Sequence, residues 1–259
     1  MTTILEEDGK SAPWKAFSWR FTAFFKEQTD IPEGERAFLD FFERAHEETV
    51  GKPAEMINFF RLLSPAGVFE VALSPLKIDF KINAVAKVRT NPEKNEADFD
   101  RGTCEESYES FRRGVDRFMD SVANLNLTRL AVGVELGEHV SSREEGYTVL
   151  GQRLMSLKPD ASVSSDLSYQ INYPRTKTFG ETTVLINRLS SWSVVKAIVD
   201  LQQEGMDQIT VEMYHSLALL DLNTTPTIDV SVLTQNHRME LVNTLFEYAL
   251  EIAERGESL

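Results

Sequence analysis

The chain has 259 residues, 42% of them hydrophobic and 26% charged, a composition typical of a globular protein with a substantial core. Its net charge of −14 and the scattering of its basic residues argue against a phosphate-binding stripe, so direct nucleic-acid binding is not expected. No apolar run approaches the ~20 residues of a membrane span. No secretory signal opens the sequence, and the one cysteine, Cys104, fits a reducing compartment. We therefore expect a cytoplasmic protein without a membrane segment.

The N-terminal quarter predicts one strand and two helices. Residues 1–13 are expected to be flexible, and residues 14–25 alternate apolar and polar side chains as a half-buried strand does. Asp30 is a suitable N-cap for a first helix, with Pro32 in its first turn. A second short helix is predicted over residues 53–63.

A hairpin and a charged loop follow. The hairpin is predicted over residues 68–88, and the polar stretch 89–102 is expected to be the most exposed loop. Thr103 and Glu106 have the spacing of a capping box, which opens a predicted helix that ends at Asn124.

The next part of the chain alternates strands with helices. Residues 127–140 predict a strand, and a capping box at Ser142 opens a helix that runs to Leu157. The segments 163–173 and 182–189 predict strands. Residues 193–203 predict a short helix.

The last quarter is the most regular part of the sequence. Two strands, 208–223 and 226–233, are predicted around a short turn, and a long amphipathic helix is predicted from Asn236 to Arg255. The fold class is therefore α+β, a mainly antiparallel sheet covered by helices, with the long C-terminal helix packed on the sheet. We expect a single domain over residues 1–259, and the alternative is a two-lobed division near residues 137–142.

Catalytic motifs are missing from the sequence. It contains no HExxH, GxSxG, GxGxxG or GxxxxGK[ST] pattern, so we predict a non-enzymatic protein without catalytic residues, metal or cofactor. Two constellations leave a hydrolase or metal enzyme open as an alternative. His139 follows Glu135 and Glu138, which offer oxygen and nitrogen ligands at a strand end. Asp221 and Asp229 flank the last turn, where they would be either an acid–base pair or caps of backbone N–H groups.

Two groups of residues are candidates for contact with a partner. The first group is aromatic and could line an interface: Trp14, Trp19, Phe24 and Phe25. The second group belongs to the acidic segment 93–106 and would meet a basic partner: Glu93, Glu96, Asp98 and Asp100.

The order of these features resembles a family of uncharacterised, sporadically distributed bacterial and archaeal proteins of about this length. The pieces that carry the resemblance are SPLKIDFKI (74–82), YESFRRGVDRFMDSV (108–122), LTRLAVGVEL (127–136), TPTIDVSVL (225–233) and LVNTLFEYALEIA (241–253). The third piece is similar to the family's "TRLGLRYIN"-type strand, although Glu135 and Gly137 depart from it. The resemblance implies the order of elements and an accessory role, and it implies no catalytic residue.

The leading functional hypothesis is a cytoplasmic binding or assembly protein that acts through protein–protein contacts. Homo-oligomerisation through an edge strand is one form of this hypothesis. The first alternative is a module that binds an apolar small molecule in a cavity between the last helix and the sheet. The second is an acidic inhibitor or nucleic-acid mimic that acts on a basic partner.

Overall fold

The structure is a computed structural model that describes residues 14–28, 31–52, 54, 56–85, 87–91, 96–100, 107–154, 156–158, 160, 162, 164–201, 209–225 and 229–256. For residues 87–91, 96–100, 199–201 and 209–211 we describe the backbone alone.

The described part of the chain contains twelve strands and four α-helices. The strands are β1 (Lys15–Phe25), β2 (Glu48–Lys52), β3 (Ile57–Ser64), β4 (Gly67–Ser74), β5 (Lys77–Asn83), β6 (Lys87–Asn91), β7 (Glu96–Asp100), β8 (Leu127–Val140), β9 (Ser168–Asn172), β10 (Arg175–Phe179), β11 (Thr182–Leu201) and β12 (Ile209–Thr224). The helices are α1 (Gly34–Phe42), α2 (Tyr108–Ser121), α3 (Arg143–Arg153) and α4 (Gln235–Arg255).

Ten strands form one antiparallel sheet in the order β10–β11–β12–β8–β1–β5–β4–β3–β2, and β9 pairs with β11 beside β10. The remaining two strands, β6 and β7, pair only with each other. Helix α4 packs on β8 and β12. The predicted α+β class, with its antiparallel sheet and C-terminal helix, is confirmed.

The two halves of the chain repeat one order of elements. Each half begins with a strand and a helix, continues with a run of antiparallel strands, and ends with a second helix. The first strand of each half pairs with the last strand that the same half contributes to the ten-stranded sheet, β1 with β5 and β8 with β12. Pairing of β1 with β8 joins the halves at the centre of the sheet. The sequence shows no fixed-period repeat, because the likeness lies in topology and not in residues.

All four helices lie on one face of the sheet. In β1, Trp19 and Phe21 point to this face, where Trp19 lies 4.8 Å from Tyr108 and Phe21 lies 6.0 Å from Phe118, measured between ring centroids. The side chains in this layer form one core, and Phe21 and Phe80 have no accessible surface. Burial of this apolar layer is the main source of stability for the fold.

The antiparallel pair β6–β7 lies outside the main sheet, and β7 contacts it at β12. Strand β12 is paired with β11 over its whole length but with β8 only from Tyr214 to Asn223. On the face away from the helices, Phe17, His215 and Leu217 are 6%, 4% and 9% exposed, whereas Leu219 is 51% exposed. Among the described residues, this face of the sheet is therefore buried at one end and exposed at Leu219.

Three predicted helices or strands are wrong. Residues 57–64 form strand β3 instead of a helix, because their pairing with β4 and β2 alternates Phe60 and Leu62 toward the core. Residues 193–201 continue β11 because they pair with β12 over their whole length. The segment expected to be the last strand contains a 3₁₀ turn at Val230–Val232 that leads directly into α4.

Other element boundaries also change. The predicted loop 89–102 contains parts of β6 and all of β7, and β2 and β10 were not predicted. Helix α1 begins at Gly34 after Glu33, and Asp30, its predicted cap, lies outside the described residues. The same is true of residues 1–13, Cys104 and the capping box of Thr103 and Glu106.

Two helix starts are confirmed in atomic detail. The Ser142 hydroxyl accepts from the Glu145 N–H at 3.2 Å, as the capping box predicts for α3. Helix α4 starts one residue before its predicted position, where Thr234 accepts from the His237 N–H at 3.3 Å.

Candidate functional site

The sheet face away from the helices, which we call the open face, carries one continuous row of mostly charged residues. The row follows from the register of seven neighbouring strands, and each residue is paired with the next one across the sheet. In strand order it consists of Glu48, Arg61, Glu70, Lys81, Arg20, Gly133 and Asp221. Three acidic and three basic residues therefore share one line across the molecule.

Ion pairs hold two segments of this row. The Arg61 Nε lies 2.5 Å from a carboxylate oxygen of Glu70. At the other end, the Arg20 Nη2 lies 3.6 Å from the Asp221 Oδ1. The side chains of Arg20 and Asp221 are 41% and 37% exposed, although the paired Asp221 Oδ1 is itself buried. Cross-strand neighbours outside this row also interact. The Thr22 hydroxyl, for example, donates a hydrogen bond to the Asp79 carboxylate at 2.5 Å.

A second row on the open face is more apolar. It lies two residues from the charged row along each strand and consists of Leu63, Val68, Asn83, Ser18, Glu135 and Leu219. Leu63 and Leu219 are 66% and 51% exposed. Five strand spacings separate these two leucines, which corresponds to about 24 Å. The open face thus combines exposed leucines with an accessible line of charges.

A groove of about 390 Å³ opens where the two rows reach β2–β5. Its lining comes from the ends of four strands: Glu47, Glu48, Arg61, Leu63, Val68, Glu70 and Asn83. Three glutamates against one arginine leave this lining with a formal charge of −2. The backbone N–H of Glu47 donates to the Arg61 carbonyl at 2.8 Å, which holds the acidic wall next to β3.

Three of the four candidate aromatic residues are not on the surface. Trp14, Trp19 and Phe25 are 8%, 4% and 2% exposed and belong to the core, because strand alternation directs them toward the helices. Phe24 points to the open face and is half-buried beneath the Arg129 guanidinium, 5.0 Å from the ring centroid. Phe24 is therefore the one member of this group that a partner can reach.

For the four acidic candidate residues, the structure describes either the backbone alone or nothing. Glu96, Asp98 and Asp100 belong to β7, whose backbone contacts β12. Glu93 lies outside the described residues. Whether these residues contact a partner stays a prediction.

The side chains of the expected cluster around His139 do not come together, because they lie at separate positions and on opposite faces of β8. Glu135 and His139 are four residues apart on one strand, which separates them by about 13 Å. Glu138 points to the helix side, where burial raises the pKa of its carboxyl, the positive Arg153 lowers it, and Glu145 raises it. His139 pairs across the strands with His215, at 5.3 Å between ring centroids. In the described part of the chain no three metal-binding side chains come together.

The expected acid–base pair is divided as well. Asp221 pairs with Arg20, while Asp229 belongs to the 3₁₀ turn and accepts from the Ser231 N–H at 2.8 Å. Burial raises the pKa of Asp229, but the hydrogen bonds from Ser231 and the positive charges of Lys26 and Arg238 outweigh burial and lower it. Asp229 thus has the backbone-capping role that was the alternative explanation for its position.

The space between α4 and the sheet is filled. The side chains on the underside of the helix are 0–4% exposed: Leu241, Val242, Leu245, Phe246, Ala249 and Ile252. A void of the size of a water molecule would leave accessible surface on the side chains that line it. The described residues therefore leave no room for an apolar ligand at the place where the sequence located one.

A set of buried arginines was missed by sequence reasoning. Arg188 has a fully buried side chain, and its guanidinium lies 3.4 Å from a Glu251 oxygen and 4.9 Å from the centre of the Tyr248 ring. Arg238 is 6% exposed and donates to the carbonyls of Ala123 and Leu125. These residues connect α4 to the sheet and to α2. Their signal in sequence is weak, because a buried arginine is recognised only by its partners.

Comparisons with known proteins identify no relative: no protein family, no curated protein and no solved structure matches the chain. The resemblance to an uncharacterised prokaryotic family therefore stays a prediction. Among the described helices, none is both long and apolar enough to cross a membrane.

Proposed function

We propose that this protein is a non-enzymatic binding protein that contacts a protein partner through the open face of its sheet. The observation that carries the proposal is the contrast between the two faces. Four helices cover one face, whereas the open face presents its charged row and the exposed Leu63 and Leu219 to solvent. Protein interfaces combine apolar and polar surface in this way, with apolar contacts in their fully buried core.

The groups that would support catalysis have structural partners instead. Asp221 is paired with Arg20, and Asp229 caps a turn. These positions favour a binding function over general acid–base chemistry.

Two edges of the sheet are less suitable than the open face for association, whereas β11 has no outer strand partner beyond Ser193 among the described strands. Strand β2 is five residues long and ends before Pro53, and the β9–β10 edge is interrupted at Pro174. Short edges and prolines are features that limit strand-to-strand pairing between molecules. The proposal therefore assigns the contact to the face rather than to either of these two edges.

The test compares two exposed leucines of similar accessibility. Leu219 is 51% exposed on the open face, and Leu250 is 40% exposed on α4. The purified protein, with Leu219→Arg and Leu250→Arg variants, would be used to retrieve partners from an extract of the organism that encodes it, with quantitative mass spectrometry. We expect Leu219→Arg to lose a partner that the wild type and Leu250→Arg both retain.

Circular dichroism of both variants would establish that they are folded. A partner lost equally from both variants, or retained by both, would contradict the assignment to the open face. If no protein is enriched and the chain sediments as a monomer, the proposal of a protein-binding function is wrong.

A further inference from the structure

We infer that the groove on the open face receives a short extended segment of the partner protein in which lysine or arginine alternates with aliphatic residues. This inference rests on the proposed function and names the chemistry of the partner. The groove is formed by neighbouring parts of the charged row and of the second row, at Leu63 and Val68, so it has one acidic side and one apolar side. Two kinds of side chain are therefore needed to fill it.

The acidic side has an excess of negative charge. Arg61 is the one cation of the lining, and its Nε lies 2.5 Å from Glu70, whose side chain is 16% exposed. Glu47 and Glu48 are exposed and lie at the start of the edge strand β2. A cation placed between these two carboxylates would reduce their mutual repulsion.

The apolar side favours a long side chain over a free ion. Leu63 is 66% exposed and is paired across the strands with Val68, which is half-buried. Lysine and arginine bury their methylene stems on apolar surface while the charged end stays in a polar environment. A segment that adds a valine or leucine beside the basic residue would also cover Leu63.

Size and charge limit the occupant further. A volume of about 390 Å³ lies at the small end of ligand pockets, which suits a few side chains of an extended segment and not a helix. The net charge of −14 attracts a basic partner at long range and increases its rate of encounter. The groove then determines where the basic segment docks.

The probe is a short acetylated and amidated peptide in which lysine and valine alternate, labelled for fluorescence anisotropy. The test variant is Glu47→Gln/Glu48→Gln, which leaves the Arg61–Glu70 pair intact. The control is Glu109→Gln/Glu247→Gln, which removes two charges that are also exposed but lie on the helix side. Both double variants change the net charge by the same amount. A difference between their affinities for the peptide therefore shows that the position of the charges matters.

We expect the groove double to weaken peptide binding about tenfold, because each exposed ion pair contributes a few-fold to affinity. The control double should change binding less than about twofold, and Leu63→Asn should weaken it without unfolding the protein. Amide chemical shifts of the wild type should move at Leu63, Val68 and Asn83 when the peptide is added. A peptide with glutamine in place of lysine should not bind.

If the two double variants weakened peptide binding equally, net charge alone would attract the peptide. Chemical-shift changes away from the groove would show that the peptide binds at another site. Absence of peptide binding by the wild type also overturns the inference. Displacement of the peptide by spermidine, added at the same concentration of positive charge, overturns it as well, because spermidine has no aliphatic side chains to cover Leu63. A protein partner that is lost with Leu219→Arg but unaffected by the groove double would leave the proposed function standing and refute the basic segment. Self-association that the groove double abolishes would assign the groove to a second copy of the chain instead.

Discussion

Arg20 on β1 and Asp221 on β12 form an ion pair across the intervening strand β8, with 3.6 Å between Nη2 and Oδ1. The pair is possible because Gly133 on β8 lies between them in the register. A Cβ at Gly133 would lie 3.0 Å from the Arg20 Nε and 3.1 Å from its Nη2. The glycine therefore provides the passage that lets the guanidinium reach a carboxylate two strands away.

Gly133→Ala should uncouple Arg20 from Asp221 with little effect on stability. The guanidinium is half-exposed and can move away, so the loss of the pair costs less than about 1 kcal/mol. Alanine in place of a strand glycine returns a similar amount, about 0.5–1 kcal/mol. A double-mutant cycle with Arg20→Gln and Asp221→Asn, followed by urea unfolding, should give a coupling energy in the wild type and none in the Gly133→Ala background. Coupling should persist with Gly51→Ala, and its persistence with Gly133→Ala would refute the role given to the glycine.

The parts of the fold that the sequence predicted well are those with long local patterns. Helix α4 and strand β12 have regular periods over many residues, and their predicted bounds agree with the structure within one residue at both ends. Segment 57–64 was misassigned because Phe59 and Phe60 are adjacent and apolar, which resembles a helical stripe. In the structure Phe60 faces the core and Phe59 faces the open side beneath Arg61, and pairing with β4 decides between the two forms. Such long-range pairing is not encoded in a local pattern.

The candidate site was even less accessible to sequence reasoning. In β5 the alternation is visible in the sequence itself, and Lys77, Asp79 and Lys81 share the face opposite the buried Ile78, Phe80 and Ile82. However, the charged row needs the register of seven strands at once. Arg20 and Asp221 lie near opposite ends of the chain, and a shift of one residue in any strand would move its side chain to the other face.

Glu138→Gln should stabilise the protein at neutral pH. Burial raises the pKa of Glu138 in the folded state, so the folded protein binds a proton more readily than the unfolded chain does. Between the ordinary glutamate pKa and the raised one, the stability of the wild type therefore falls as pH rises, and the loss is complete above the raised value. Because the residue is partly exposed, the expected gain of Glu138→Gln at pH 7 is a few tenths to about 1 kcal/mol.

Urea unfolding of wild type and Glu138→Gln from pH 4 to pH 8 measures this effect. The difference between them should shrink as pH falls toward the ordinary value of 4.5. Glu109→Gln, on an exposed helix surface, serves as the control. A variant that is less stable than the wild type at neutral pH would show that the attraction to Arg153 exceeds the effect of burial.

Glu251→Gln should destabilise the protein strongly because it leaves a buried cation without its counter-charge. The Glu251 carboxylate accepts from Arg175 at 3.0 and 3.2 Å, and it lies 3.4 Å from the fully buried Arg188. Removal of one partner of a buried pair costs about 3–5 kcal/mol. Arg188→Met should cost less than Glu251→Gln, since methionine removes the charge together with its need for a partner.

Guanidinium unfolding of the two variants would give this order, with Glu247→Gln on the exposed side of α4 as the control. If Arg188→Met were the more damaging change, the stacking of the guanidinium on Tyr248 would be the dominant interaction. Equal effects of Glu251→Gln and Glu247→Gln would refute the pairing.

Arg238→Met should loosen the connection between the two halves of the chain. The Arg238 guanidinium donates from Nη1 to the carbonyls of Ala123 and Leu125, at 3.2 and 3.1 Å, and from Nη2 to the Ser231 carbonyl at 3.0 Å. It therefore fastens the segment between α2 and β8 to the turn before α4. Methionine fills similar space but leaves these carbonyls without a donor, at a cost of about 3 kcal/mol.

Hydrogen exchange would locate the effect of Arg238→Met. The amides of residues 122–127 should exchange faster in this variant even under conditions where the protein as a whole remains folded. Arg238→Lys should restore only part of the protection, because one ammonium cannot reproduce the fork of the guanidinium. Arg113→Met, at an exposed position of α2, should leave these amides unchanged. Uniformly faster exchange over the whole sheet in Arg238→Met would show that the arginine supports the core in general and does not hold this particular junction.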